Sequence, residues 1–402
     1  MRNLVPLEPM PEASRGHGPS DLGIVMTGGG ARAAYQVGFL RCVARRFPEL
    51  RVPYVTGVSA GAINATLLAS HHGTFLQAVQ ELSELWGNLT TQDVFRTDTR
   101  SLAMNAINWV RQLASGGLGI SARGLGSPKL VRGLVDTHPL SAYLTEVLHC
   151  VNGELTGIQY NLDAGRLQAL AISATSYSTG RSVTWIQGKH VELWRRPQRM
   201  PVLATITVDH VMASAALPLF FPAVRVDNAW YGDGGIRLVA PLSPAVHLGA
   251  RRIIAVSTRH ATNGAEDVED AIRGYPPPAQ VMGILLNSIF LDLLDHDALR
   301  LRRLNQLIEG LPEEKRHDLK EVKLLTLRPS QDLGRLAGEF EAELPRAFRF
   351  LTRGLGTKET RSPDFLSLIL FQPDYLRALI EMGERDAEAR AGEIDAFLNE
   401  GG

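Results

Sequence analysis

The chain is 402 residues long, with 42 Lys and Arg balanced by 42 Asp and Glu, so no global field draws it to nucleic acid or to an acidic membrane. A hydrophobic fraction of 45% excludes a disordered or membrane-embedded class and fits one large folded unit or two to three smaller ones. Cys42 and Cys150 are too few for a disulfide framework or a zinc site, and both read as small core residues.

Residues 1–21 carry Pro and charge every few positions and no apolar run of signal-peptide length. They read as a disordered leader on a cytoplasmic protein, whose membrane contact, if any, is peripheral and at the inner face. LGIVMT (22–27) is a short apolar run ending in three glycines and predicts a buried parallel strand. ARAAYQVGFLRCVARRF (31–47) follows with apolar residues at helical spacing. RVPYVTG (51–57) predicts a second strand and AINATLLASHH (62–72) a second helix. This β-α-β-α order implies an α/β fold with a parallel sheet covered on both faces. His71 and His72 end the second helix, where a cation suits the C-terminal dipole.

Residues 75–150 read as mostly helical, and 100–134 as a lid or surface insertion, with 113–134 rich in Gly, Ser, Arg and Leu. Strands are predicted at 167–177, 181–187 and 251–257, and a helix at 204–216. Beyond Pro276–Pro278 the pattern is charged and helical, apart from a strand at 320–329 and a buried-helix candidate, VMGILLNSIFLDLL (281–294). Asp295, His296 and Asp297 point in different directions on a helix and make no metal site.

Three motifs carry chemistry. GVSAG (57–61) joins strand to helix, and Gly57 and Gly61 leave room for a strained turn that presents Ser59 at a helix N-terminus. GGGARA (28–33) joins the first strand to its helix, where backbone N–H groups form an anion nest. The same residues fit the dinucleotide pattern Gly28-x-Gly30-x-x-Ala33, with Glu49 near the acidic position; Glu49, however, precedes the second strand instead of closing it. A serine needs a base. His247 and His260 follow Ser59 as an α/β-hydrolase would require, but about 30 ordered residues before Ser59 are few for that fold. Asp233, ahead of Gly234 and Gly235, offers a carboxylate on a tight turn that can act without an imidazole.

In chain order, TGGGARAAYQVGFL (27–40), VTGVSAGAINA (55–65), ASAALPLFFPAV (213–224) and DGGIRLVAPLSPAVHLGARRIIAVS (233–257) resemble the patatin-like phospholipases of bacterial type. The resemblance covers residues 22–260, and 261–402 then reads as a mostly helical region packing on or capping that catalytic domain. It implies a three-layer α/β/α fold with a mainly parallel central sheet. It also implies a Ser-Asp dyad, with Ser59 the nucleophile and Asp233 its base. Gly28, Gly29, Gly30 and Ala31, with Arg32 beside them, take the position of the oxyanion hole, and ASAALPLFFPAV lines the substrate site. Ala33 stands where the family usually has a third glycine, a mild change in a helix's first turn.

The substrates implied are fatty acyl esters of phospholipids, lysophospholipids or neutral lipids, with no metal or cofactor and peripheral membrane contact. Esters suit a two-residue dyad because an alkoxide leaves more readily than an amide nitrogen. Arg32 either attracts a lipid phosphate or pairs with a surface carboxylate. A nucleotide-binding oxidoreductase using the glycine loop, or an inactive lipid-binding scaffold, remains the alternative. A homo-oligomer is left open.

Overall fold

The structure, a computed structural model, describes residues 4, 6–10, 17–96, 133–260, 281, 284, 285, 288, 293–316, 319–341 and 364–399. Of the proposed lid or insertion (100–134), all but Gly133 and Leu134 lies outside them.

The sheet begins with β1 (Leu22–Met26), whose five residues are all buried, as a strand covered on both faces requires. A 3-10 turn (Gly30–Ala33) leads into α1 (Ala34–Arg46), then β2 (Tyr54–Val58) and α2 (Ala60–Ser70). Next come α3 (Phe75–Asn88), opened by a Thr74–Gln77 capping box, α4 (Thr91–Val94), α5 (His138–Val147) and α6 (Thr156–Asp163). The sheet resumes with β3 (Ala169–Ser176), β4 (Ser182–Gly188) and β5 (Arg199–Leu203). After α7 (Val208–Ser214) follow β6 (Val224–Val226), β7 (Ala229–Asp233), α8 (Ser243–Leu248) and β8 (Arg252–Val256). The last elements are α9 (Leu293–Glu309), β9 (Lys323–Leu327), α10 (Leu333–Glu339), α11 (Asp364–Ile369), α12 (Pro373–Glu388) and α13 (Ala391–Asn399).

Among the described residues the strand order is β5-β4-β3-β2-β1-β8-β9, with β7 paired to β3 and β6 to β7. The β2-β1-β8-β9 run and the β2–β3 pair are parallel, while β3 pairs antiparallel with β4 and β7. Alternate residues face opposite layers. Leu22, Ile24, Met26, Ile254 and Val256 join the large core built with α1, α3 and α12. Val25, Ile253 and Ala255 pack on the other side against Ala245 of α8 and Leu294 and Ala298 of α9. This is the expected three-layer α/β/α fold with a mostly parallel sheet.

Several sequence expectations change. Part of residues 1–21 makes contacts: Leu7 is buried, its N–H donates to Gln80 Oε1 (3.0 Å), and the Met10 N–H donates to the Arg45 carbonyl (2.7 Å), while Pro6, Glu8, Pro9, His17 and Ser20 are exposed. A few apolar residues between prolines suffice to seat it. The C-terminal region does more than cover the sheet, since β9 extends it beside β8 and α12 lies along α1, where Arg41 and Arg45 pair with Glu384. In the buried-helix candidate (281–294), Val281, Ile284 and Leu285 are exposed and Leu294 is buried, the rest lying largely outside the described residues.

His71 is not a cationic cap. Its Nδ1 accepts the Gly73 N–H (2.9 Å), which leaves the proton on Nε2 facing Glu81 (3.2 Å), and burial lowers its pKa. His72 packs its ring on Tyr160. Cys42 is in the core and Cys150 at its edge. Asp295 pairs with Arg328 (2.5 Å), and Asp297 accepts the Leu242 N–H (2.9 Å), so the two carboxylates have separate partners.

Candidate active site

Met26 of β1 sits opposite Gly57 of β2, so the glycine loop and the GVSAG turn leave the sheet side by side at the same end. Ser59 occupies the turn with φ 56° and ψ −135°, a strained conformation for a residue with a side chain. The strain is held by tertiary contacts: the Ser59 N–H donates to Ser214 Oγ (2.9 Å), which in turn donates to the Ser173 carbonyl (2.6 Å). Helix α2 starts at Ala60, so its positive end faces the Ser59 hydroxyl.

Gly61 lies in the first turn of that helix, where an added Cβ would overlap the carbonyl oxygens of Met26 and Thr27. Backbone of the neighbouring strand cannot yield as a flexible side chain can. Gly61→Ala is therefore expected to destabilise the fold by about 1–3 kcal/mol, the usual cost of overpacking. A thermal melt checks this, and an unchanged melting temperature would show that the elbow is looser than its geometry.

Strand register brings the acid to the serine. Val58 of β2 pairs with Ser173 of β3, and the next β3 residue, Ala174, pairs with Asp233 of β7. Ser59 Oγ donates to Asp233 Oδ2 at 2.6 Å. The other carboxylate oxygen accepts the Gly235 N–H (2.8 Å), and Thr175 Oγ1 donates to the Asp233 carbonyl (2.8 Å). Gly234 and Gly235 open a 3-10 turn that folds back under the carboxylate. Asp233 is 0% exposed and Ser59 5% exposed. Burial pushes the Asp233 carboxyl up to about 7, and the bonds from Ser59 and Gly235 offset only part of that rise.

No imidazole fits between two groups bonded directly. His247 instead stacks on Trp194, and His260 Nδ1 sits 2.9 Å from the Pro329 carbonyl.

The glycine loop hangs from the end of β8. Thr27 Oγ1 donates to the Val256 carbonyl (3.0 Å), and Thr258 Oγ1 to the Gly28 carbonyl (2.8 Å). Gly29 and Gly30 border a cavity together with Ser59, and Ala31 and Arg32 form the following 3-10 turn. Of the expected anion-binding group, the Arg32 N–H is committed to the Gly29 carbonyl (3.1 Å). Its side chain turns from the cavity to Asp364 and Ser367 in α11. The carboxylate partner foreseen for Arg32 thus exists, and Asp364 is partly exposed while Arg32 itself is buried. The dinucleotide reading loses its space, because the Leu368 carbonyl fills the approach to Gly30 that a pyrophosphate would need.

The cavity is lined by apolar side chains, among them Ile63, Trp86, Leu144, Leu217, Phe221 and Phe371. Leu217 and Phe221 belong to ASAALPLFFPAV, the stretch expected to line the substrate site. Polar tips in the wall are satisfied: Trp86 Nε1 donates to Asn64 Oδ1 (2.7 Å), and Tyr143 Oη to the Leu85 carbonyl (3.3 Å). Sequence reasoning missed Ser214, Ser173, Thr258, Asp364 and Ser367. Ser214 lies inside a quoted motif, but nothing local marks the others.

A model of the patatin-like phospholipase family matches residues 24–246, more than half of the chain. The chain belongs to that family. No curated protein sequence matches it significantly. Among solved structures, this patatin-like chain is similar to VipD from Legionella pneumophila, with 12% identity and a TM-score of 0.35 over 88% of this chain and 67% of that one. It is also similar to human GIVD cytosolic phospholipase A2, with 11% identity and a TM-score of 0.45 over 94% of this chain. The patatin-like chain spans 59% of that human protein's length. The family it matches is one of phospholipases. Among the described residues, no helix is long and apolar enough to cross a membrane.

Proposed function

We propose that the chain is a serine lipid acyl hydrolase of phospholipase A or lysophospholipase type, working through a Ser59–Asp233 dyad. The observation that carries this reading is the direct 2.6 Å bond between a fully buried Asp233 and Ser59 Oγ, with Ser59 bordering an apolar cavity. An acyl chain suits such a wall, with the ester carbonyl held between Ser59 and the glycine loop. Asp233 takes the Ser59 proton as Oγ attacks the carbonyl carbon. N–H groups of Gly28–Ala31 receive the oxyanion. The protonated Asp233 returns its proton to the leaving alkoxide, giving an alcohol or lysolipid and an acyl-Ser59 ester. Water, deprotonated by the same carboxylate, then frees the fatty acid. Peripheral contact with a lipid surface is part of this proposal, because the substrate resides there.

A long-chain fluorophosphonate tests it, since the phosphorus is attacked only by an activated serine. Covalent label on Ser59 by mass spectrometry, with fatty acid release from phospholipid vesicles, is the expected result. A folded protein that neither labels nor releases fatty acid would overturn the assignment.

A further inference from the structure

One short helix near the end of the chain is joined to the glycine loop by a partly buried ionic cluster around a buried Arg32. Arg32, 3% exposed, donates from Nε to Ser367 Oγ (2.7 Å) and from Nη2 to Asp364 Oδ1 (2.7 Å). Ser367 Oγ donates to the Asp364 carbonyl (2.5 Å), and Arg32 Nη2 lies 3.4 Å from that same oxygen. Both partners sit in α11, more than 330 residues along the chain. The Leu368 carbonyl of that helix lies against Gly30, which at φ 55° has no Cβ to obstruct it. Leu368, Ile369 and Phe371 then line the cavity beside Ser59. The helix and the residues after it are held further, where Thr91 Oγ1 donates to the Phe371 carbonyl (2.8 Å) and Phe365 packs edge-on to Phe220.

We infer that Arg32, Asp364 and Ser367 are positioning residues: through them the C-terminal region fixes the glycine loop and completes the acyl cavity. The inference rests on the proposed roles of Ser59 and of residues 28–31. A buried guanidinium needs its carboxylate, and without it the cation seeks water and takes the loop along. The Arg32 N–H closes back on Gly29, so any shift of Arg32 reaches Gly29 and Gly30, which border the cavity. Donors spent on Asp364 and Ser367 are withheld from a lipid phosphate.

The test compares wild type with Asp364→Asn, Ser367→Ala, Arg32→Gln and the Arg32→Gln/Asp364→Asn double variant, each checked by circular dichroism and thermal melting. Rates are measured on p-nitrophenyl butyrate, which has no phosphate, and on phosphatidylcholine vesicles. Asp364→Asn is expected to lower kcat on both substrates by the same factor, about 10–100-fold, with KM little changed, as for a loop displaced by about 1 Å. The double variant is expected to be no worse than Arg32→Gln alone, because the pair acts as a unit. Wild-type kcat in folded Asp364→Asn would overturn the inference. So would a loss confined to vesicles in Arg32→Gln, with Asp364→Asn unimpaired, which would assign Arg32 to the phosphate.

Amide hydrogen exchange over residues 28–32 separates this inference from the reading it rests on. Faster exchange in Asp364→Asn and Ser367→Ala is expected whether or not the wild type cleaves any ester. Unchanged exchange would overturn the latch, while failed Ser59 labelling with faster exchange would overturn only the hydrolase.

Discussion

Ser59→Ala is expected to abolish ester hydrolysis, and Asp233→Asn to lower kcat/KM by about 10²–10⁴-fold, the usual contribution of a positioned base. In free energy this is about 3–5 kcal/mol of lost transition-state stabilisation. The asparagine is nearly isosteric: its Oδ1 can still accept the Gly235 N–H, and its Nδ2 can face Ser59 Oγ. It cannot take a proton. Kinetics on p-nitrophenyl esters and vesicles, with circular dichroism of each variant, check the expectation. Full activity in Asp233→Asn would require a base from elsewhere, although His247 and His260 are both engaged away from Ser59. Full activity in Ser59→Ala would remove the nucleophile itself.

The second large effect is on pH. Asp233 acts as a base only when ionised, and burial holds its carboxyl up at about 7. Below that value kcat/KM is expected to approach a tenfold fall per pH unit, so roughly 50-fold between pH 7 and pH 5, with a plateau above about pH 8. Stability moves the other way. An unfolded aspartate releases its proton near 3.8, while the folded Asp233 keeps it to about 7. The native state therefore binds more protons across this window. Its stability contribution is complete below pH 3.8 and is lost as pH rises through 7. Three pH units correspond to a cost on the order of 4 kcal/mol for holding the buried charge.

Asp233→Asn removes that titration and is expected to melt above wild type at pH 8, with the gap closing toward pH 4. A gap that widened on acidification would show that Asp233 is ionised throughout.

The same buried carboxylate thus sets both a rate and a stability cost, a common trade at catalytic sites.

Much of the fold was legible because strands covered on both faces advertise themselves as apolar runs. β1, β3, β8 and β9 all read this way. β5, β6 and β7 did not. β5 contains Pro201 and is half-buried, β6 has three residues, and β7 (AWYGD) carries more turn signal than strand signal. The contacts of Leu7 and Met10 were not legible, since composition reports what a segment lacks and not which side chains receive it. His71 misled because its partner, Glu81, comes from another helix.

What the sequence by itself determined were the local parts: a glycine loop after β1, a strained serine turn after β2, and an aspartate before two glycines. Each is local because a tight turn needs small residues at fixed offsets, whatever surrounds it. Tertiary structure alone decided that Ser59 and Asp233, 174 residues apart, meet at 2.6 Å through the registers of β2, β3 and β7. It alone decided that Arg32 faces Asp364 and not the cavity. Such pairings are set by strand register and by the burial of a charge with its counter-charge, which are properties of the assembled core and leave no mark in the spacing of residues along the chain.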